Sequence, residues 1–278
     1  MAKTKAETKR VAVIQMTSGD VVDTNLQRAC AFVAEAAAQG AAFVALPENF
    51  AFMRREGTGF PCAQAVEGEI LSQVRQWAAS QNLWILAGTF PEAIPGDSRV
   101  YNSSALIDDR GEIRALYRKI HLFDVDLSAS GGDQLTESAS VAPGEEPVLA
   151  ETDFGPVGLS VCYDLRFPEL YRELSKRGAR WLTVPSAFTP HTGKAHWEIL
   201  LRARAIENQA FVLAPAQCGS HNPQRHSYGH SMIIDPWGRI LAQAGEEPGV
   251  FVADCDLHDQ EQQRAALPCL QHRRLTEA

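Results

Sequence analysis

The stretch Val157-Gly158-Leu159-Ser160-Val161-Cys162-Tyr163-Asp164-Leu165-Arg166-Phe167-Pro168-Glu169 decides how the rest of the chain is read. Its first part is a short apolar run that reads as a buried strand, and from Pro168 to Arg177 the pattern turns helical, with Gly178 as the stop. Cys162 falls where strand gives way to helix. Open α/β sheets present reactive groups at the carboxyl ends of their strands, so this thiol is the first candidate nucleophile.

Working outward, the same alternation appears on both sides. Upstream, Arg10 to Met16 reads as a strand, Asn25 to Gln39 as a helix closed at Gly40, Ala41 to Leu46 as a strand, Glu69 to Asn82 as a helix and Leu83 to Thr89 as a strand. Tyr101 to Ile107 and Ile113 to Arg118 form a hairpin around Asp108-Asp109-Arg110-Gly111. Downstream, Trp181 to Pro185 is a strand, His196 to Asn208 a helix and Phe211 to Ala216 a strand; Ser231 to Asp235 pairs with Arg239 to Ala244, and Val250 to Cys255 closes the series. Strand–helix–strand order implies right-handed parallel crossovers, and no linker divides the chain. The fold class is a single-domain α/β protein over residues 10–274, preceded by a flexible N-terminus at 1–9 and followed, from His258 onward, by a polar tail able to cross to a partner subunit.

Composition narrows the function. The 278 residues are 45% apolar and 22% charged, and the net charge of -8 opposes nucleic-acid backbones and anionic lipid surfaces. Residues 1–10 lack the apolar core of a secretory signal, and no run is long enough to span a membrane, which predicts a cytoplasmic location. The six cysteines (30, 62, 162, 218, 255 and 269) are scattered without a CxxC pair, so neither a disulfide framework nor a zinc site is expected. His191, His196, His221, His226 and His230 lie close in sequence but lack HExxH or paired helical spacing. No metal or cofactor is expected.

Three strand ends carry groups suited to acyl transfer. Glu48 follows Leu46-Pro47, Lys119 follows the strand Ile113 to Arg118, and Cys162 ends its own strand. If they meet, the thiolate attacks a carbonyl carbon, the carboxylate moves the proton and later activates water, and the ammonium stabilises the oxyanion. An adjacent ammonium is also expected to lower the thiol pKa from about 8.5. The alternative reading of each residue is ordinary: a turn acid, a strand-edge lysine, a packed thiol.

The segments LPENF (46–50), YRKIHLFD (117–124) and SVCYDLRFPELYREL (160–174) together resemble the three catalytic blocks of the nitrilase superfamily of carbon–nitrogen hydrolases, in the same order. The resemblance runs from about Arg10 to Arg274. It implies an α-β-β-α sandwich, homodimers paired through helical faces, and a Glu-Lys-Cys triad at Glu48, Lys119 and Cys162. It also implies a second glutamate beside the triad, matched by Glu137, which orients Lys119. The backbone N–H of Tyr163 is suited to be a further oxyanion donor.

Residues 185–219 and 227–238, with ENFAFM (48–53) and LPCLQHRR (267–274), resemble the branch whose members hydrolyse deaminated glutathione. The implied substrate is a small anionic amide, giving 2-oxoglutarate and cysteinylglycine; an ω-amidase acting on keto-acid amides is the alternative. Candidate substrate-binding residues are Arg166, Thr192, Lys194 and His196, with Phe188 and Tyr163 as an apolar wall. Arg166 is suited to grip a carboxylate through two bonds, or else to pair internally with Asp164 or Glu169. Residues 219–226 have loop composition and suggest a mobile rim, and the Ser-, Gly- and Asp-rich segment 126–136 reads as a second loop.

Overall fold

The computed structural model describes residues 8–132 and 134–275. In chain order its first half contains β1 (Thr8–Gln15), α1 (Val22–Ala38), β2 (Phe43–Ala45), α2 (Glu69–Gln81), β3 (Trp84–Leu86), β4 (Phe90–Ala93), β5 (Val100–Ile107), β6 (Ile113–Arg118), β7 (Asp124–Asp126), β8 (Gln134–Thr136) and β9 (Val141–Ala142). The second half contains β10 (Leu149–Ala150), β11 (Val157–Leu159), α3 (Pro168–Lys176), β12 (Trp181–Thr183), α4 (Pro190–Asn208), β13 (Phe211–Ala214), β14 (Cys218–Asn222), β15 (Arg225–Tyr228), β16 (Met232–Ile234), β17 (Ile240–Gln243), β18 (Gly249–Asp256) and α5 (Leu257–Ala266).

Two sheets carry the fold. One runs β18-β1-β2-β3-β5-β4, with β6 and β9 also on β5, and the other runs β10-β11-β12-β13-β16-β17. Each is built on a parallel triplet, β1-β2-β3 and β11-β12-β13, whose strands are linked by helices. Side chains alternate across a strand, and the burial shows where each face goes. Val11, Val13, Phe43, Ala45, Trp84 and Leu86 join one core with the second sheet, while Ala12, Ile14, Val44 and Ile85 face α1 and α2. Phe154 ties the inner faces together: its ring lies 5.2 Å from Phe43, 5.6 Å from Trp84 and 5.7 Å from Trp181. On the far side, Gly158 lets α3 lie close, since a Cβ there would meet Leu174 at 2.9 Å. The layers are therefore helix, sheet, sheet, helix, as the resemblance implied.

Several local expectations need revision. Thr8 and Lys9 pair with Asp256 and Cys255, so β1 begins inside the segment expected to be flexible; residues 1–7 lie outside the described residues. The segments read as loops at 126–136 and 219–226 belong to two small hairpins, β7–β8 and β14–β15. Their polar residues gave no alternation to read, because both hairpins lie off the main sheets. The tail also docks on its own chain. Asp256 caps α5 through the N–H groups of His258 and Asp259, Gln260 exchanges bonds with Arg180, and Arg264 donates to Gln209 and Ala179. Among the described residues, no helix is long and apolar enough to cross a membrane.

Candidate active site

Cys162 leaves β11 in a left-handed conformation, φ +50°, at the start of a short 3-10 helix, Cys162–Arg166. A non-glycine residue in this region carries strain, and such strain persists where surrounding contacts over-determine it. Here the clamp is Asp164. Fully buried, it accepts from the Tyr117 hydroxyl (2.7 Å), the Val161 N–H (2.8 Å) and the His121 N–H (3.0 Å), and it meets His121 Nδ1 at 2.7 Å. The Cys162 N–H itself donates to Pro185. His121 in turn stacks on Phe167 at 3.7 Å.

Glu48 arrives from the end of β2. Its turn fits against the end of β3 because residue 88 is glycine: a Cβ there would lie 2.0 Å from the Pro47 carbonyl oxygen. One carboxylate oxygen accepts from Asn102 (2.9 Å) and Lys119 Nζ (3.0 Å), and the other accepts from the Ala187 N–H (2.9 Å). Lys119 leaves β6 and is 2% exposed. Glu137, in the turn after β8, receives Nζ on both oxygens at 3.0 and 2.9 Å and also accepts from the Phe123 N–H. The ammonium is thus held between two carboxylates.

Burial alone opposes the Lys119 charge, but the charges of Glu137 and Glu48 outweigh it and hold the pKa well above the usual range. The thiol behaves differently from the expectation. Burial and the Glu48 carboxylate push its pKa well up, and the attraction of Lys119 does not reverse that. The resting pair is therefore a neutral thiol beside a carboxylate base.

A cleft of about 830 Å³, counting its open mouth, contains Glu48, Asn102, Lys119, Glu137, Cys162, Tyr163, Phe188 and Thr192 in its walls. The predicted triad, the second glutamate and the expected apolar wall thus meet in one cavity. The Tyr163 N–H lies in the first turn of its helix, where no intrahelical acceptor is available.

Arg166, Lys194 and His196 are outside that lining. For Lys194 and His196 the physical reason is that α4 begins at Pro190, six residues before the expected start, so both stand in its first turns. Helical periodicity turns Thr192, Gly193 and Trp197 inward and leaves Lys194 and His196 exposed. Gly193 lets this helix approach the neighbouring hairpin: a Cβ would sit 2.4 Å from the Tyr228 ring. Arg166 meets His196 Nδ1 at 3.2 Å and lies 5.4 Å from the Phe188 ring centre. Its expected partner Asp164 is instead engaged by Tyr117 and His121. Nor do the other clustered histidines converge: His221 bonds Ser18 and Ser227, and His230 stacks on Tyr228.

Sequence reasoning missed Asn102, Asp164, Arg54 and Arg225. A signal existed for Asn102, whose amide opens the polar run Asn102-Ser103-Ser104 within a buried strand. The two arginines line the cleft from distant segments, and nothing local marks them.

A buried thiol on a strained strand-to-helix turn, beside a carboxylate and an ammonium, defines a hydrolase of the cysteine-nucleophile class. The carbon–nitrogen hydrolase family profile matches residues 10–265. The chain belongs to that family. It is 47% identical over 265 residues to a Synechocystis protein named deaminated glutathione amidase, covering 94% of this chain and 97% of that one. A mouse protein of the same name is 43% identical over 280 residues, covering 98% and 85%. The crystal structure of a Saccharomyces cerevisiae protein described as a member of branch 10 of the nitrilase superfamily superposes with a TM-score of 0.87 at 30% identity, covering 96% of this chain and 97% of that one.

Proposed function

We propose that the protein is an amidase that cleaves the amide bond of deaminated glutathione, giving 2-oxoglutarate and cysteinylglycine, with Cys162 as nucleophile. The observation that carries the chemistry is the junction of Glu48 and Lys119 at 3.0 Å in the wall that also holds the Cys162 thiol. The substrate assignment rests on the identity to relatives of that name.

The steps follow from the charge states. Glu48 takes the thiol proton as sulfur bonds to the amide carbon, and Lys119 with the Tyr163 N–H receives the developing oxyanion. Glu48 then gives that proton to the departing nitrogen as the C–N bond breaks, leaving a thioester. Water attacks the thioester while Glu48 removes its proton. The C–S bond breaks, the thiol is reprotonated, and the carboxylic acid leaves. Glu137 holds Lys119 in place and keeps it charged throughout.

Intact-mass measurement after brief mixing with substrate is expected to show the 2-oxoglutaryl thioester on the wild-type protein and none on Cys162→Ala. The absence of any adduct in a chain that turns over substrate would overturn the covalent route. A kcat/KM ratio of deaminated glutathione to α-ketoglutaramate near or below one would move the assignment to ω-amidase.

A cytoplasmic homodimer completes the reading. Exposed Ile199, Ile206 and Trp237 on and beside α4 support pairing through a helical face. Light scattering is expected to give twice the chain mass, and a monomer would contradict it.

A further inference from the structure

The cleft holds a second charged group, away from the triad. Arg54 and Arg225 line it from the loop after β2 and from β15, and Glu56 stands between them, bonded to Arg225 and 3.6 Å from Arg54. Among the described residues the only cationic side chains in the cleft wall are Arg54, Lys119 and Arg225. Lys119 is held at the triad by Glu48 and Glu137. The arginine side chains are 15% and 19% exposed, and Arg225 Nε is a buried donor without a hydrogen-bond partner. A buried guanidinium N–H without an acceptor is costly. Arg54 also donates to Thr58 and lies 5.4 Å from the Phe60 ring centre, which fixes its place in the wall.

The charges are unequally divided. At the triad, two carboxylates face one ammonium and leave one negative charge; at the other group, two guanidinium groups face one carboxylate and leave one positive charge. A carboxylate on the substrate is repelled by the first and attracted by the second. That polarity orients an anionic amide with its neutral scissile bond at the thiol.

We infer that Arg225 and Arg54 form the carboxylate-binding subsite of the cleft, their two guanidinium groups meeting the bound anion and Glu56 holding them in place. The inference rests on the amidase reading above and assigns the part of the site that selects anionic amides. The carboxylate belongs to the acyl portion or to the departing amine portion, and the two sources are separable by substrate choice.

The test measures KM and kcat for wild type, Arg225→Met, Arg54→Met and Arg225→Lys on three substrates. One is an amide with a carboxylate on the acyl side only, such as α-ketoglutaramate. The second is a neutral acyl group on cysteinylglycine, and the third is a neutral aliphatic amide. Arg225→Met is expected to raise KM by about ten- to hundredfold for whichever carboxylated substrate uses the subsite, while changing kcat little and leaving the neutral amide unaffected. Arg225→Lys is expected to recover part of the loss. Arg54→Met is expected to act in the same direction, so the outcome survives if one variant fails to fold. Equal KM changes on neutral and anionic amides, or none on either anion, would overturn the subsite. If the wild type turns over neither deaminated glutathione nor any of the three, the amidase reading fails; if it turns over a carboxylated substrate and the arginine variants do not discriminate, only this inference fails.

Discussion

The two ends of the cleft are built on opposite plans. At the triad Glu48, Lys119 and Cys162 come from the ends of core strands, Glu137 alone comes from a small hairpin, and several bonds fix them: Glu48 takes three donors, Lys119 reaches two acids and Asp164 locks the turn under the thiol. At the arginine end the charges come from a loop and a small hairpin, and one donor has no partner. Bond making tolerates little displacement, so the reacting groups sit on rigid elements; substrate selection tolerates more and is carried by peripheral segments.

The sharpest way to break the rigid end is to remove the sulfur. Cys162→Ala is expected to abolish turnover while the thermal transition stays near that of wild type, and residual amide hydrolysis above background would refute the nucleophile. Next in size is Glu137→Gln, which weakens the hold on Lys119 and removes a negative charge from beside it. A loss in kcat of about 10²–10³ is expected, comparable to losing one oxyanion donor, with a much smaller change in KM. A change confined to KM would instead make Glu137 a binding residue.

Phe154→Ala probes the scaffold under both ends. Opening the ring cluster between the sheets is expected to cost about 3–5 kcal/mol in denaturant unfolding while kcat of the folded enzyme stays within a fewfold. A loss below about 1 kcal/mol would show that the sheets are held elsewhere.

Two pH experiments sharpen the contrast further. Because the Cys162 pKa is raised, the folded protein keeps its thiol protonated where a free cysteine, at about 8.5, is half ionised. The ultraviolet thiolate signal at that pH should therefore be the same in wild type and Cys162→Ser, and a difference would show a preformed thiolate. Raising the pKa also means that this group's contribution to stability is complete below the free-thiol value and declines as pH rises above it.

The smallest effect lies in the hairpin that carries Arg225. Burial lowers the pKa of His221 to about 4, so the unfolded chain gains a proton at higher pH than the folded one. The contribution of His221 is complete above its free value of about 6.5 and is lost as pH falls toward 4. In His221→Gln the loss of stability between those values should be shallower than in wild type. An unchanged slope would assign the acid sensitivity to other groups.

Much of this molecule was legible from one strand and its neighbours. The run ending at Cys162, the ends of β2 and β6, and the alternation of strands and helices are local patterns, and local patterns survive in one dimension. The start of α4 was not legible, because Thr189-Pro190 followed by glycine and histidines has weak helix propensity; packing of Gly193 against Tyr228 helps hold the helix there. That start places Lys194 and His196 outside the cleft, whose cationic wall comes from Arg54, Lys119 and Arg225.

Residue types and their order along the chain determined the fold class, the family and the identity of the acid, the amine and the thiol, since each is marked by its position at a strand end. Only the tertiary structure decided the resting state of the thiol, the clamp at Asp164 and the company of Arg54 with Arg225. Those depend on burial and on distances between segments as far apart as residues 56 and 225. Electrostatic energies are set by separation in space and by access of water, and neither is written in the order of residues.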